Sequence, residues 1–346
     1  MRYANTTLPL WFNYVELAVN CSCMAFMAIT LPLYIAVVWI MLVLRKTAYK
    51  GMFYRIFLVG AILDIIAIIN NYIGNIIPAR GWLLDFYMSQ GTTIGHVYVI
   101  IAWMTRCSQG CTVTLLALNR ATAVCNPMKH KRIWNSRWAN LVFLFQLSLG
   151  ICLGTFLIPQ KFIWKKQGRG IYIQFEDLRF RMRYFIFAYA LDTFFVVLII
   201  IINITMLIKL KRKYRLRKSS SYCAALNHKV LSEKQRQENN LTIVSVVTCA
   251  LEIAYYLYIV YAFIIKPQLN TRVFYLLYNV CNDIYAGASA WLILSFSTTL
   301  QKHLQNQLRC LPLTRIHQQF IIDFQLSSVS HMTLRKTPER SSLIKG

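Results

Sequence analysis

The sequence predicts an all-α membrane protein: a bundle of seven transmembrane helices, N-terminus outside and C-terminus inside. Three observations carry that expectation. Over 346 residues the chain is 57% hydrophobic and only 14% charged, with a mean hydropathy of +0.46. Seven apolar runs reach membrane-crossing length, and the Lys and Arg residues between them are distributed one-sidedly. Soluble domains carry about 25% charged residues and disordered chains are more polar still, so both classes are excluded. The excess of 38 Lys plus Arg over 12 Asp plus Glu gives a net charge of +26. In a soluble chain that would suggest a nucleic-acid partner. Here the basic residues lie between apolar runs, and no nucleic acid is expected. Most of the ten Cys fall inside the runs, where Cys packs as a small hydrophobe and not as part of a disulfide framework.

A helix needs about 20 mostly apolar residues to cross the hydrocarbon core. Residues 20–44, 53–77, 94–118, 138–159, 184–208, 241–265 and 272–298 meet that length in turn. Pro78, Pro159 and Pro267 stand at span ends, where helices stop. These unbroken runs lack the alternation of a transmembrane barrel, and no repeat of solenoid length is visible. Residues 1–19 form an outer N-terminal segment, 20–298 the seven-helix bundle, and 299–346 an inner tail. No cleaved signal peptide is indicated.

Orientation follows from the basic residues, which favour the inner side. With the N-terminus outside, 26 of the 38 Lys and Arg fall on inner segments and 11 on outer ones, with Arg106 inside a span. The exception is local: Lys161, Lys165, Lys166, Arg169, Arg179, Arg181 and Arg183 crowd the second outer loop. Residues 171–176 in that loop alternate apolar and polar and read as a short strand. Its clustered charge concentrates anions, pointing either to an acidic ligand or to lipid headgroups. On the inner side, residues 209–218 extend the fifth span as a basic helix against anionic lipid. Residues 301–309 suggest a membrane-parallel helix ending at Cys310, a palmitoylation candidate. Asn5 lies in a glycosylation sequon on the outer side.

Ionised groups inside the bilayer cost about 2.5–3.5 kcal/mol on insertion scales and so face the bundle interior, usually paired. Five occur: Asp64, Arg106, Asp192, Glu252 and Asp283. Counting 1.5 Å per residue from the span ends puts Arg106 about 18 Å deep, Asp283 about 17 Å, Glu252 about 20 Å and Asp192 about 12 Å. Arg106 is thus expected to pair with Asp283 or Glu252, either flooring a ligand pocket or only fixing helix register. Arg106 and Arg120 fall within about 40° on one helix face. His96 at the outer end of the third span and Tyr255 and Tyr258 in the sixth are further candidates for ligand contact. Trp103 and Trp291 read as packing residues.

The third span ends in Leu115-Leu116-Ala117-Leu118-Asn119-Arg120-Ala121-Thr122-Ala123-Val124, then Pro127-Met128-Lys129-His130 and Ile133-Trp134. This stretch resembles the junction of the nematode serpentine chemoreceptors of the Srg superfamily. Leu31-Pro32-Leu33-Tyr34 and Asp64-Ile65 look most like class V, with class gamma next. The resemblance implies a chemosensory G-protein-coupled receptor in the plasma membrane, by family habit the ciliary membrane of sensory neurons. It implies a small external ligand, and the residues that depth, charge and aromatic placement offer it are Arg106, His96, Asp192, Glu252, Tyr255 and Asp283. A heterotrimeric G protein would couple at Asn119, Arg120, Lys129 and His130, with Glu238 as a resting partner for Arg120. Asp64 sits where many receptors hold an activation or ion site. Departures from rhodopsin-like receptors are Asn119 in place of an acid before the Arg, no Asn-Pro-x-x-Tyr in the seventh span, and no Cys in the second outer loop.

No nucleotide-binding loop, His-Glu-x-x-His, Cys-x-x-Cys pair or nucleophile elbow is present, so no enzyme, metal or cofactor is expected. The competing reading is a seven-helix ligand-gated channel or transporter. The sequence lacks the matched Gly/Pro-interrupted halves of transporters.

Overall fold

In a computed structural model, residues 9–134, 136–167, 170–220, 228–262 and 270–309 are described. Helix α1 (Leu10–Val43) starts just after Pro9, whose ring fits only the first turn of a helix or the position ahead of it. It begins well before the expected membrane boundary at residue 20. Helix α2 (Met52–Asn71) runs through a π-turn at Tyr72–Ile76 into α3 (Ile77–Ala79), which carries Pro78 near its start. A left-handed Leu83 (φ 56°) then redirects the chain into α4 (Leu84–Ser89).

Helix α5 (Thr93–Cys125) is followed by the short α6 (Pro127–Ile133), by α7 (Ser136–Thr155), and by an antiparallel hairpin of β1 (Phe162–Gln167) and β2 (Gly170–Phe175). The expected lone strand is therefore one arm of a pair, with Trp164 opposite Ile173. A single strand would leave a ladder of unpaired amides, and residues 162–167 supply their partners. Helices α8 (Leu178–Ser220), α9 (His228–Val260) and α10 (Thr271–Phe296) complete this unit, which ends at Ser297. Asp177 caps α8, accepting from the backbone N–H of Arg179 (2.7 Å) and Phe180 (3.2 Å). Asn270 caps α10 through the N–H of Arg272 at 2.9 Å. The unbroken α8 includes the basic extension expected beyond residue 208. A second unit begins with α11 (Thr298–Arg309).

The long helices α1, α2, α5, α7, α8, α9 and α10 form a seven-helix bundle. Among the described residues, four segments, Leu10–Val43, Met52–Ala79, Leu178–Arg212 and Asn239–Val260, are long and apolar enough to cross a membrane on length and composition alone. Helix α5 is less apolar because it packs against α2, α7, α8 and α9 at once. Its Thr105, Ser108, Gln109, Thr112, Thr114 and Asn119 are all buried. The outward faces are apolar instead: Trp39, Ile62, Leu144, Phe187, Ile201 and Leu257 are exposed. That inversion suits a hydrocarbon surround, in which polar groups must find partners inside the protein. Between α5 and α7, Ser108 donates to the Gln146 carbonyl at 3.3 Å and Gln146 donates to Thr112. A Cβ at Gly150 would collide with Ser108 Oγ and the Met104 carbonyl, so only glycine permits this approach.

Candidate functional site

Arg106, three residues beyond Trp103 on α5, is held by carboxylates from two other helices. Its Nη1 and Nη2 donate to Glu252 Oε2 (3.3 Å) and Oε1 (2.6 Å), a two-pronged pairing, and Nη2 also reaches Asp192 Oδ2 at 3.4 Å. The guanidinium lies over the Tyr255 ring at 4.3 Å and near Tyr285 at 5.4 Å. Glu252 is sealed at 1% side-chain exposure, whereas Arg106 and Asp192 keep 12% and 13%. The triad thus joins α5, α8 and α9, with Tyr285 bringing in α10.

The expected pairing with Glu252 is present, but Asp283 is not a partner of Arg106. Asp283 Oδ2 accepts from Tyr72 Oη of the π-turn at 3.0 Å. Its depth matches; its direction around α10, toward α2, does not. Asp192 takes the second place at the arginine. Measuring depth from the apolar border at residue 184 made it too shallow, because α8 starts at Leu178. Counted from the helix starts at Leu178 and Thr93, Asp192 and Arg106 both lie about 20 Å in.

Above the triad opens a cavity of about 200 Å³, walled chiefly by aromatic side chains, among them Tyr98, Trp103, Phe185, Tyr189, Tyr255 and Tyr278. Arg106 and Asp192 form part of its lining, and β2 covers it with Tyr172, Ile173, Gln174 and Phe175. Trp103, expected to be packing only, does both: it touches Tyr184 edge-on at 5.1 Å and lines the cavity. Tyr258 instead donates to the Phe274 carbonyl at 2.8 Å and Trp291 to Thr30 at 3.1 Å. His96 is also outside the lining; its Nε2 lies 2.9 Å from the Leu157 carbonyl and its ring 4.7 Å from Phe162. It ties α5 to the chain leaving α7.

The hairpin needs no disulfide to stay in place. Trp164 Nε1 donates to the Gly91 carbonyl at 2.6 Å, and Phe162 and Phe175 pack at 4.7 Å in a buried cluster with Val99, Leu157 and Tyr184. Gly95 and Gly170 allow close contact with Ile173 and the Ala79 carbonyl, respectively. Of the basic residues crowding this loop, Lys161, Lys165, Lys166, Arg179 and Arg183 are exposed, and Arg169 lies outside the described residues. Arg181 stands apart from them: it is 8% exposed and lines the cavity.

At the other end of α5, Arg120 donates to Asn119 Oδ1 at 3.2 Å and stacks over Phe53 of α2 at 4.3 Å. Thr122 Oγ1 accepts from Trp134 Nε1 at 2.8 Å and sits 3.0 Å from His130 Nδ1, folding α6 back on α5. Partial burial, and then the nearby Arg120 charge, lower the His130 pKa from 6.5. Lys129 is exposed. The Glu238 side chain, Asn5 and Cys310 lie outside the described residues. A recess nearby is lined by Arg45, Lys46, Lys50 and Arg55. Mid-bundle, Asp64 accepts from Tyr34 Oη (2.6 Å) and Gln109 Nε2 (2.7 Å), linking α1, α2 and α5. The space beside it, about 20 Å³, has room for about one water. Among the described residues, no group of three or more His, Cys, Asp or Glu could hold a metal ion.

A family model described as the serpentine type 7TM GPCR chemoreceptor Srv matches residues 23–310. No curated protein matches the chain. Among solved structures, the crystal structure of squid rhodopsin is similar at a TM-score of 0.67 and 13% identity, over 88% of this chain and 87% of that one. At that identity the likeness is one of fold.

Proposed function

The chain belongs to the Srv family of serpentine seven-helix chemoreceptors, and we propose that its ligand binds in the aromatic cavity above Arg106, Asp192 and Glu252. Class V, not class gamma, is the class matched. The protein is a multi-pass membrane chemosensory G-protein-coupled receptor of a receptor family, not an enzyme class. One observation carries the placement of the site: the cavity's floor is an ion-paired group that joins three helices at once. A ligand resting there touches the contacts that fix α5 relative to α8 and α9, so occupancy can bias one bundle arrangement over another.

The basic-residue count supports the hairpin end as the outer face, in the plasma membrane and by family habit the ciliary membrane. The exposed Lys165, Lys166, Arg179 and Arg183 around the hairpin would then draw acidic ligands toward the cavity. The Asn119–Arg120 end, with Lys129 and His130, is the face for the heterotrimeric G protein. Glu238 is its resting-state counter-charge, and Asp64 couples the two ends through Tyr34 and Gln109. The recess of Arg45, Lys46, Lys50 and Arg55 suits anionic lipid headgroups, at about 1 kcal/mol per basic residue.

A G-protein reporter in cells expressing the receptor, challenged with a chemically diverse set rich in small acids, tests this. Tyr255→Ala and Trp103→Ala are expected to cost agonist potency at unchanged surface abundance. Potency unmoved by both substitutions, or an agonist-evoked current surviving loss of all G-protein signalling, would overturn it.

A further inference from the structure

The cavity holds one positive charge with no side-chain partner among the described residues. Arg181 is 8% exposed, its Nε is buried without a hydrogen-bond acceptor, and no carboxylate among the described residues lies within ion-pair distance. The nearby Asp177 is occupied in capping α8, and Arg181 offers its own backbone N–H to the Asp177 carbonyl at 3.1 Å. A buried guanidinium costs heavily unless it is paired, and this one lines a cavity open enough to admit a molecule. At the cavity floor the imbalance has the opposite sign. Arg106 faces two carboxylates, Asp192 and Glu252, leaving one negative charge in excess. Of the two, Asp192 lines the cavity and has the longer contact to Arg106, at 3.4 Å against 2.6 Å.

Both groups stand on α8. Arg181 and Asp192 are 11 residues apart, close to three full turns, so they share one face with about 16 Å between their Cα atoms. Aromatic side chains, including Phe185 and Tyr189 of the same helix, line the space between. We infer that the cavity takes a small zwitterion with an apolar or aromatic middle, its anionic end at the Arg181 guanidinium and its cationic end at Asp192. This rests on the reading of the cavity as the ligand site and names the chemical class of its ligand. A planar guanidinium offers two parallel N–H donors to a carboxylate, and Gln174, whose Oε1 is also buried without a partner, lies in the same lining.

The free-ended tripeptide Gly-Phe-Gly is a suitable probe, since it spans about 10 Å when extended and the long Arg181 side chain covers part of the rest. Its C-amide and N-acetyl derivatives each remove one charge. Binding to purified full-length receptor, read by thermal stabilisation and isotope displacement, should be about ten- to a hundred-fold weaker for either capped form. Arg181→Gln should abolish discrimination against the C-amide alone, Asp192→Asn discrimination against the N-acetyl form alone, and Arg181→Lys should keep part of the first. Without any probe, Arg181→Met should raise the melting temperature, because it removes a buried unpaired charge. Equal binding of all three peptides, no binding of the free-ended one, or a lower melting temperature for Arg181→Met would overturn the inference. A cavity-filling Ala102→Trp separates the two claims. If it blocks the tripeptide while Arg181→Gln leaves discrimination intact, only the zwitterion assignment fails. If the tripeptide binds Ala102→Trp as it binds the unaltered protein, the cavity itself is not the ligand site.

Discussion

Two arginines on α5 show how differently one helix can hold the same side chain. Arg106 is gripped by Glu252 and Asp192 and lies over Tyr255; Arg120, four turns on, leans on the Asn119 amide and the Phe53 ring. The first arrangement is directional, charge-assisted and mostly sealed from solvent, so it resists small displacements. The contacts at Arg120 include a neutral acceptor and a ring face, and a ring face holds a cation with less angular demand than a carboxylate does. The lesson is that carboxylate pairing holds the arginine at the cavity end of the bundle, whereas a neighbouring amide and an aromatic face help to hold the one at the Asn119–Arg120 end. On the proposed placement of the ligand, binding acts on the carboxylate-held arginine and the response is carried toward the Asn119–Arg120 end.

Removing Arg106 is the hardest blow to this contrast. Arg106→Gln leaves two neighbouring buried carboxylates without a cation, and a loss of about 3–5 kcal/mol is expected, read as a lower melting temperature in detergent. Adding Asp192→Asn and Glu252→Gln to it should restore much of that loss. If the triple variant melts no higher than the single one, the charge imbalance is not the cause. At the Asn119–Arg120 end, Phe53→Leu removes the ring beneath Arg120 and should cost about 1–2 kcal/mol while leaving agonist potency unchanged. A potency shift as large as that from Tyr255→Ala would erase the distinction between the ends.

Smaller effects sharpen it. Trp164→Phe deletes the hydrogen bond that anchors β1 at Gly91, and about 1 kcal/mol of stability should go with it, together with faster ligand release through the loosened hairpin. The least effect is expected at His130. Its folded pKa lies below its ordinary 6.5, so on acidification the unfolded chain takes up the proton first. Stability therefore falls as pH drops from about 6.5 through the folded value. A melting-temperature profile of His130→Asn should lack that component; an identical profile would remove His130 from the account.

The helices were legible in the sequence because hydrocarbon length and the cost of charge leave few alternatives. The Asn119–Arg120 junction carried the family resemblance. Helix ends were less so: α1 and α8 run past the apolar borders into residues that water or headgroups can solvate, and apolarity marks the membrane, not the helix. That one offset misplaced Asp192 and hid its pairing with Arg106. Asp283 shows the other limit, since depth along a helix says nothing of azimuth, and it met Tyr72 instead. Arg181 was visible only as one of seven basic residues in a loop. The hairpin's partner strand, residues 162–167, stayed hidden too, having no alternation strong enough to announce itself.

Thiol labelling of Ala102→Cys tests the central claim most directly, since Ala102 lines the cavity and the unaltered protein supplies the background. A membrane-impermeant reagent applied outside intact cells should modify it and abolish the agonist response, and agonist added first should protect it. Modification only from the cytosolic side, or labelling that agonist does not slow, would contradict the account.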